Sequence, residues 1–159
     1  MFREMRRKRQ QLTREESEDV LRRGKTGVLA VRGDGGYPYA VPVTYVFSNG
    51  TIYLHIALAG HKVDAIREDD RVSFCVIDKD DVVADEYTTY FRSVIAFGRA
   101  RIMGDDDAKM AALRILGDKY NPHQDKALDK EVAKGFDRLL MIEIEIEHLS
   151  GKQAIELVH

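Results

Sequence analysis

Apolar positions recur along this chain with two periods, and the points where one period gives way to the other divide it into elements. Thr13-Arg14-Glu15-Glu16 has the Thr-x-x-Glu arrangement in which hydroxyl and carboxylate satisfy the free amides of a starting helix, and Gly24 stands where that helix would end. From Thr26 the pattern turns extended. Gly27 to Val31 predicts a strand, Gly33-Asp34-Gly35-Gly36 a break, and Tyr39 to Phe47, rich in β-branched and aromatic residues, a second strand. Asn49-Gly50 is a strong hairpin signal, because both residues tolerate positive φ, and it makes Thr51 to Ala57 the third strand. Val63 and Ile66, three apart, predict a short helix over 63–68, and Arg71 to Ile77 reads as a fourth strand. A polar loop is expected from Asp78 to Glu86. Thr88 to Met103 is the longest extended stretch, with Gly98 marking a bulge or bend. Asp105 caps a helix running to about Tyr120, with Ala108, Ala111, Ala112, Ile115 and Leu116 on one side, and Asn121-Pro122 stops it. A weaker helix over 126–135 precedes the clearest alternation in the chain. There Leu140, Ile142, Ile144 and Ile146 are expected inside, and Met141, Glu143, Glu145 and Glu147 outside.

Six strands in hairpin order, with helices inserted and appended, do not follow the βαβα rhythm of a doubly wound sheet. They predict a mainly β, α+β fold: a six-stranded antiparallel barrel with short peripheral helices, in one domain over 1–159 whose residues 1–12 form a basic arm. The length of 159 residues fits one domain, and 44% hydrophobic with 33% charged residues excludes general disorder. No apolar run reaches the roughly 18 residues of a membrane span, and the basic start leads into no signal-peptide core, so a cytoplasmic location is expected. A single cysteine, Cys75, forbids an internal disulfide, and the five histidines lack metal-ligand spacing. Net charge is 25 minus 27, or −2, too little for a general nucleic-acid binder. The charge is uneven: nine Lys/Arg against five Asp/Glu up to Lys25, but an acidic stretch from Asp78 to Glu86.

Chemistry is sparse along the chain. Dinucleotide-fold and P-loop glycine motifs are absent, as is a Gly-x-Ser-x-Gly elbow. Cys75, inside the apolar run Val72 to Ile77, reads as a buried, inert thiol. Gly60-His61-Lys62 is more informative. A glycine allows close backbone approach, a helix start offers free amides and Lys62 adds a point charge, so the triplet reads either as a phosphate grip or as a plain helix start. Arg92, beside Ser93 in mid-strand, demands an anionic partner, which is either a ligand or an acid of its own chain.

Taken in order, Val41-Pro42-Val43-Thr44-Tyr45, Ile52-Tyr53-Leu54-His55, Gly60 to Arg67, and Tyr90 to Ala100 resemble the FMN-binding split β-barrel of pyridoxamine 5'-phosphate oxidase-like proteins, most closely the 5-nitroimidazole-resistance branch. The resemblance runs from the Arg-Arg-Lys start to about Tyr120. It implies a flavin ring along Val41, Pro42, Val43, Thr44 and Tyr45, with His55 and His61 nearby, and a phosphate held by Lys62, Arg92 and Ser93. It also implies a homodimer whose flavin sites straddle the interface, and His61 as a proton donor toward a small-molecule acceptor. His61-Lys62 stands where the pyridoxamine phosphate oxidases have an Arg-Lys pair, which argues against that oxidation. The expected function is an FMN-dependent oxidoreductase of nitroreductase type; the alternative is a non-catalytic flavin- or haem-binding module.

Overall fold

The computed structural model describes residues 1–159. Helix α1 (Arg14–Arg23) opens with the expected reciprocal cap: the Glu16 amide donates to Thr13 Oγ1 at 3.2 Å, and the Thr13 amide to Glu16 Oε2 at 2.7 Å. Strands β1 (Thr26–Arg32), β2 (Pro38–Thr44), β3 (Val46–Ser48) and β4 (Thr51–Ala57) follow, then α2 (His61–Glu68), β5 (Arg71–Val83), β6 (Thr88–Ile102), α3 (Asp106–Tyr120), α4 (Asp125–Gly135) and β7 (Leu139–Gln153). The seven strands form one antiparallel sheet in the order β2-β1-β5-β6-β7-β4-β3. Its two edge strands are consecutive in the chain and separated only by Tyr45. Because one residue joins the two edges, the sheet has to roll until they meet, which makes a barrel split along the β2/β3 seam.

Three details differ from the sequence expectation. The run from Tyr39 to Phe47 is two strands: β2 pairs with β1 and β3 with β4, so the strand count is seven. Tyr45 forces the break. Its side chain is fully buried, its hydroxyl donates to the Leu21 carbonyl at 2.7 Å, and its ring meets Phe74 edge-on at 4.9 Å. The stretch from Asp78 is not a loop, since β5 continues to Val83 opposite Thr88–Arg92, with a bulge between Ile77 and Lys79. The β-branched Val82, Val83, Thr88 and Thr89 favour pairing there despite the acidic residues. Met141 is buried instead of wet, because α3 and α4 cover that side of β7 with Ala112, Leu113, Leu116 and Val132. The bend at Gly98 is present as a register shift between β6 and β7, and a side chain at that position would collide with the Glu145 carbonyl oxygen.

The barrel interior is a single core in which Leu29, Ile52, Leu54, Phe74, Val94, Ile142 and Ile144 are fully buried, joined by Val20 and Leu21 of α1 and Val63 of α2. The outer face of β1, β2, β5 and β6 carries small and apolar residues in register: Val28 stands beside Pro42 and Cys75, and Cys75 beside Ile95. On that face Ile77, Ile95 and Phe97 are 61%, 40% and 38% exposed. One contact crosses it: Phe2 of the arm stacks on His148 at 4.8 Å and on Phe97 at 5.4 Å.

Candidate functional site

Strand β2 is an edge strand, and its pairing phase decides what it offers. The Gly33 amide donates to the Tyr37 carbonyl at 2.8 Å, so counting along the ladder in steps of two puts Tyr39, Val41 and Val43 in bonding contact with β1. The backbone polar groups of Ala40, Pro42 and Thr44 therefore face away from the sheet. Prolines at 38 and 42 suit outward positions, where no N–H is required. The Val41 and Val43 side chains pack on the barrel core, leaving the Ala40 and Thr44 amides as open donors.

Helix α2 begins at the end of β4. Gly60 adopts φ 137° and ψ 177°, a conformation open only to glycine, and it turns the chain into the helix with no side chain capping the first turn. The earliest α2 amide bonded to the Gly60 carbonyl is that of Asp64, so the preceding amides of the turn are open. Lys62, half-buried at this turn, forms no ion pair or hydrogen bond within the chain.

His61 ties this helix start to β2. Its ring lies 4.2 Å from that of Tyr39, and Nε2 accepts the Asp34 amide hydrogen at 3.2 Å, with the Asp34 carboxylate 3.8 Å away. With Nε2 acting as acceptor, the hydrogen of the neutral imidazole is on Nδ1, the nitrogen left to donate. His61, Lys62 and the Tyr39 end of β2 thus form one locality. His55 is elsewhere, exposed on the outer face of β4 opposite Met141.

Arg92 and Ser93 lie on β6, three strands from β2 in the sheet order. Arg92 has its anionic partner within the chain: Nη1 donates to Asp78 Oδ2 at 3.1 Å and Nε to Gln153 Oε1 at 3.1 Å. Arg23 grips the same carboxylate with two bonds of 2.6 and 2.7 Å. The Arg23 bonds, reinforced by Arg92, hold the Asp78 carboxyl below its ordinary pKa, and Asp78 in turn raises that of Arg23. A cavity of about 240 Å³ beside Arg92 and Gln153 includes neither His61 nor Lys62. Another groove, about 470 Å³ between α2 and the end of β6, has Arg99 paired with Asp70 and Arg101 with Glu143, and holds none of the expected site residues.

Sequence reasoning missed the clamp on the seam. The Tyr45 carbonyl accepts from Lys119 Nζ at 3.1 Å and from the Tyr120 hydroxyl, while Lys119 also donates to the Gly24 carbonyl and sits 4.2 Å over the Tyr45 ring. Burial lowers the Lys119 pKa to about 8 and raises that of Tyr45. A lysine in the last turn of a helix is too common a pattern to reveal such a clamp.

The family model for pyridoxamine 5'-phosphate oxidase matches residues 13–153. The chain belongs to this family. No curated protein matches the sequence. Among solved structures, a candidate 5-nitroimidazole antibiotic resistance protein from Bacteroides thetaiotaomicron is 19% identical with a TM-score of 0.73, over 89% of this chain and 85% of its own. An FAD- and haem-binding protein from Mycobacterium smegmatis is 24% identical with a TM-score of 0.80, over 92% of this chain and 74% of its own. An FAD-binding protein from Mesorhizobium loti is 26% identical with a TM-score of 0.63, over 91% and 96%. No helix of the chain is long and apolar enough to cross a membrane.

Proposed function

We propose that this family member binds FMN and serves as an oxidoreductase of the nitroimidazole-resistance type, reducing a small acceptor. The observation that carries the reading is the pairing of an unpartnered Lys62 with the open first turn of α2, next to an edge strand with open amides. The residues fit the cofactor. Lys62 and the α2 amides present a cationic donor set to a phosphate, and the Thr44 amide presents a donor to a polar ring edge. FMN, when bound, supplies the two-electron chemistry. His61 holds a proton on Nδ1 beside this locality and is the donor toward an acceptor that takes up electrons. A second copy of the chain covers the apolar outer face, and Ser93, which lies on that face, reaches the flavin from across the interface. The similarity of the Mycobacterium and Mesorhizobium proteins, both named for binding FAD, supports a flavin in this fold. FMN is the form that a single phosphate grip suits.

The reaction is tested on the FMN-loaded protein, reduced without oxygen and then mixed with a nitroaromatic or a quinone. Reoxidation of the flavin with stoichiometric loss of the acceptor is expected. Flavin that stays reduced with every acceptor would instead favour a module that holds its cofactor without turnover.

A further inference from the structure

The β5–β6 hairpin and the amino-terminal arm are both strongly charged, and they are opposite in sign. Residues 1–9 carry five cations against Glu4, a net of +4, and Arg3, Arg6, Arg7 and Arg9 are exposed and make no ion pair. Residues 79–86 carry four acids against Lys79, a net of −3, and Asp80, Asp81, Asp85 and Glu86 are all exposed. No ion pair joins the two segments within one chain.

Their positions explain why. The arm lies along β7, from Leu12, whose amide donates to the Gly151 carbonyl at 2.9 Å, to Phe2 on His148. The hairpin runs the other way, beyond Arg92, where β6 makes its last pair with β7 at Gln153. From there it is a two-stranded ribbon with Val82 and Tyr87 76% and 97% exposed at its tip. Such a ribbon is marginal alone and gains stability when covered. Both segments border the apolar outer face that carries Ile77, Ile95 and Phe97.

We infer that in a two-fold dimer formed across this outer face, the acidic hairpin of each copy docks on the basic arm of the other. The inference rests on the second-copy reading given above and adds the contact that sets its orientation. Two-fold symmetry makes the arrangement self-complementary, since an arm and a hairpin on each chain give two identical contacts. Exposed ion pairs are individually weak, so the charges choose the docking geometry and speed the encounter, while the apolar face supplies most of the affinity.

Charge reversal tests this with the full chain. One variant carries R6E, R7E and R9E, the other D80K, D81K and D85K, and sedimentation velocity at low salt follows each. Alone, each variant places like charges at both contacts and is expected to dissociate at least about tenfold more readily than the unmodified chain. Mixed in equal amounts, they restore opposite charges at both contacts, so a heterodimer of near wild-type affinity should form. The contact is refuted if both variants dimerise as tightly as the unmodified chain, or if the mixture shows no preference for the heterodimer. A chain that stays monomeric without any substitution removes the dimer reading itself, which separates the two failures.

Discussion

His61 sits between two tasks that compete for one ring. Its Nε2 accepts the Asp34 amide hydrogen, which anchors the Gly33–Gly36 turn, and this leaves Nδ1 as the nitrogen able to donate a proton. Removing the ring therefore has separable effects. His61→Ala should retain FMN, because Lys62 and the α2 amides remain, yet lower turnover by about 100-fold, the range of a lost general acid. Anaerobic stopped-flow reoxidation of the bound flavin measures this, and an unchanged rate would take His61 out of proton transfer. At this scale the sequence was partly legible. The Gly60-His61-Lys62 triplet marked the start of α2, a pattern that fits a phosphate grip and a plain helix start alike. Nothing in the chain order announced that His61 would turn toward Tyr39 and Asp34, because that contact joins residues separated by more than twenty positions.

The elements are held in place by charge as well as by apolar packing. Asp78, at the bulge of β5, joins Arg23 of α1 to Arg92 of β6, with its own side chain only 11% exposed. Its pKa lies below the ordinary carboxylate value in the folded chain, chiefly through the Arg23 hydrogen bonds. The unfolded chain therefore binds the proton more readily, so stability rises with pH through this window. The contribution is complete above the unfolded value of about 3.9 and is lost as pH falls through the lower folded value. Asp78→Asn should cost about 2 kcal/mol near neutrality, with the difference from the unmodified chain shrinking below about pH 4. Urea midpoints across that pH range check it, and a difference that stayed constant on acidification would show that the carboxylate charge is not what joins these elements. The same residue shows why an acidic run that predicts a loop forms a strand. Composition at 78–86 argued for solvent, whereas the β-branched Val82, Val83, Thr88 and Thr89, and two arginines supplied by other elements, argued for a strand.

For the molecule as a whole, the decisive feature is that the two edges of the sheet are joined through Tyr45 alone. Hairpin order and period-two alternation disclosed an antiparallel barrel, and they located β1, β4 and β6 closely and β7 over its first part, to Glu147. They did not disclose the seam, because Tyr39 to Phe47 has an unbroken strand pattern. The break comes from long-range contacts: Leu21 and Phe74 hold the Tyr45 side chain, and Lys119 with Tyr120 hold its carbonyl. That clamp fixes the end of β2, the strand along which the flavin is proposed to lie, at one side of the barrel, with the Lys62 turn joined to its other end through His61 and Tyr39. The outer apolar face belongs to this scale too, since its rows run across four strands and appear in no single stretch of sequence.

The central claim is that the start of α2 grips the phosphate of FMN, and comparing FMN with riboflavin tests it most directly. Equilibrium titration of the chain and of its Lys62→Ala variant with each flavin isolates the phosphate, because the two ligands share the same ring and ribityl chain. A charged hydrogen bond of about 1.5–3 kcal/mol predicts that FMN binds roughly 10- to 100-fold more tightly than riboflavin, and that Lys62→Ala removes most of that preference without altering riboflavin binding. Riboflavin bound as tightly as FMN, or a preference untouched by Lys62→Ala, would contradict the account.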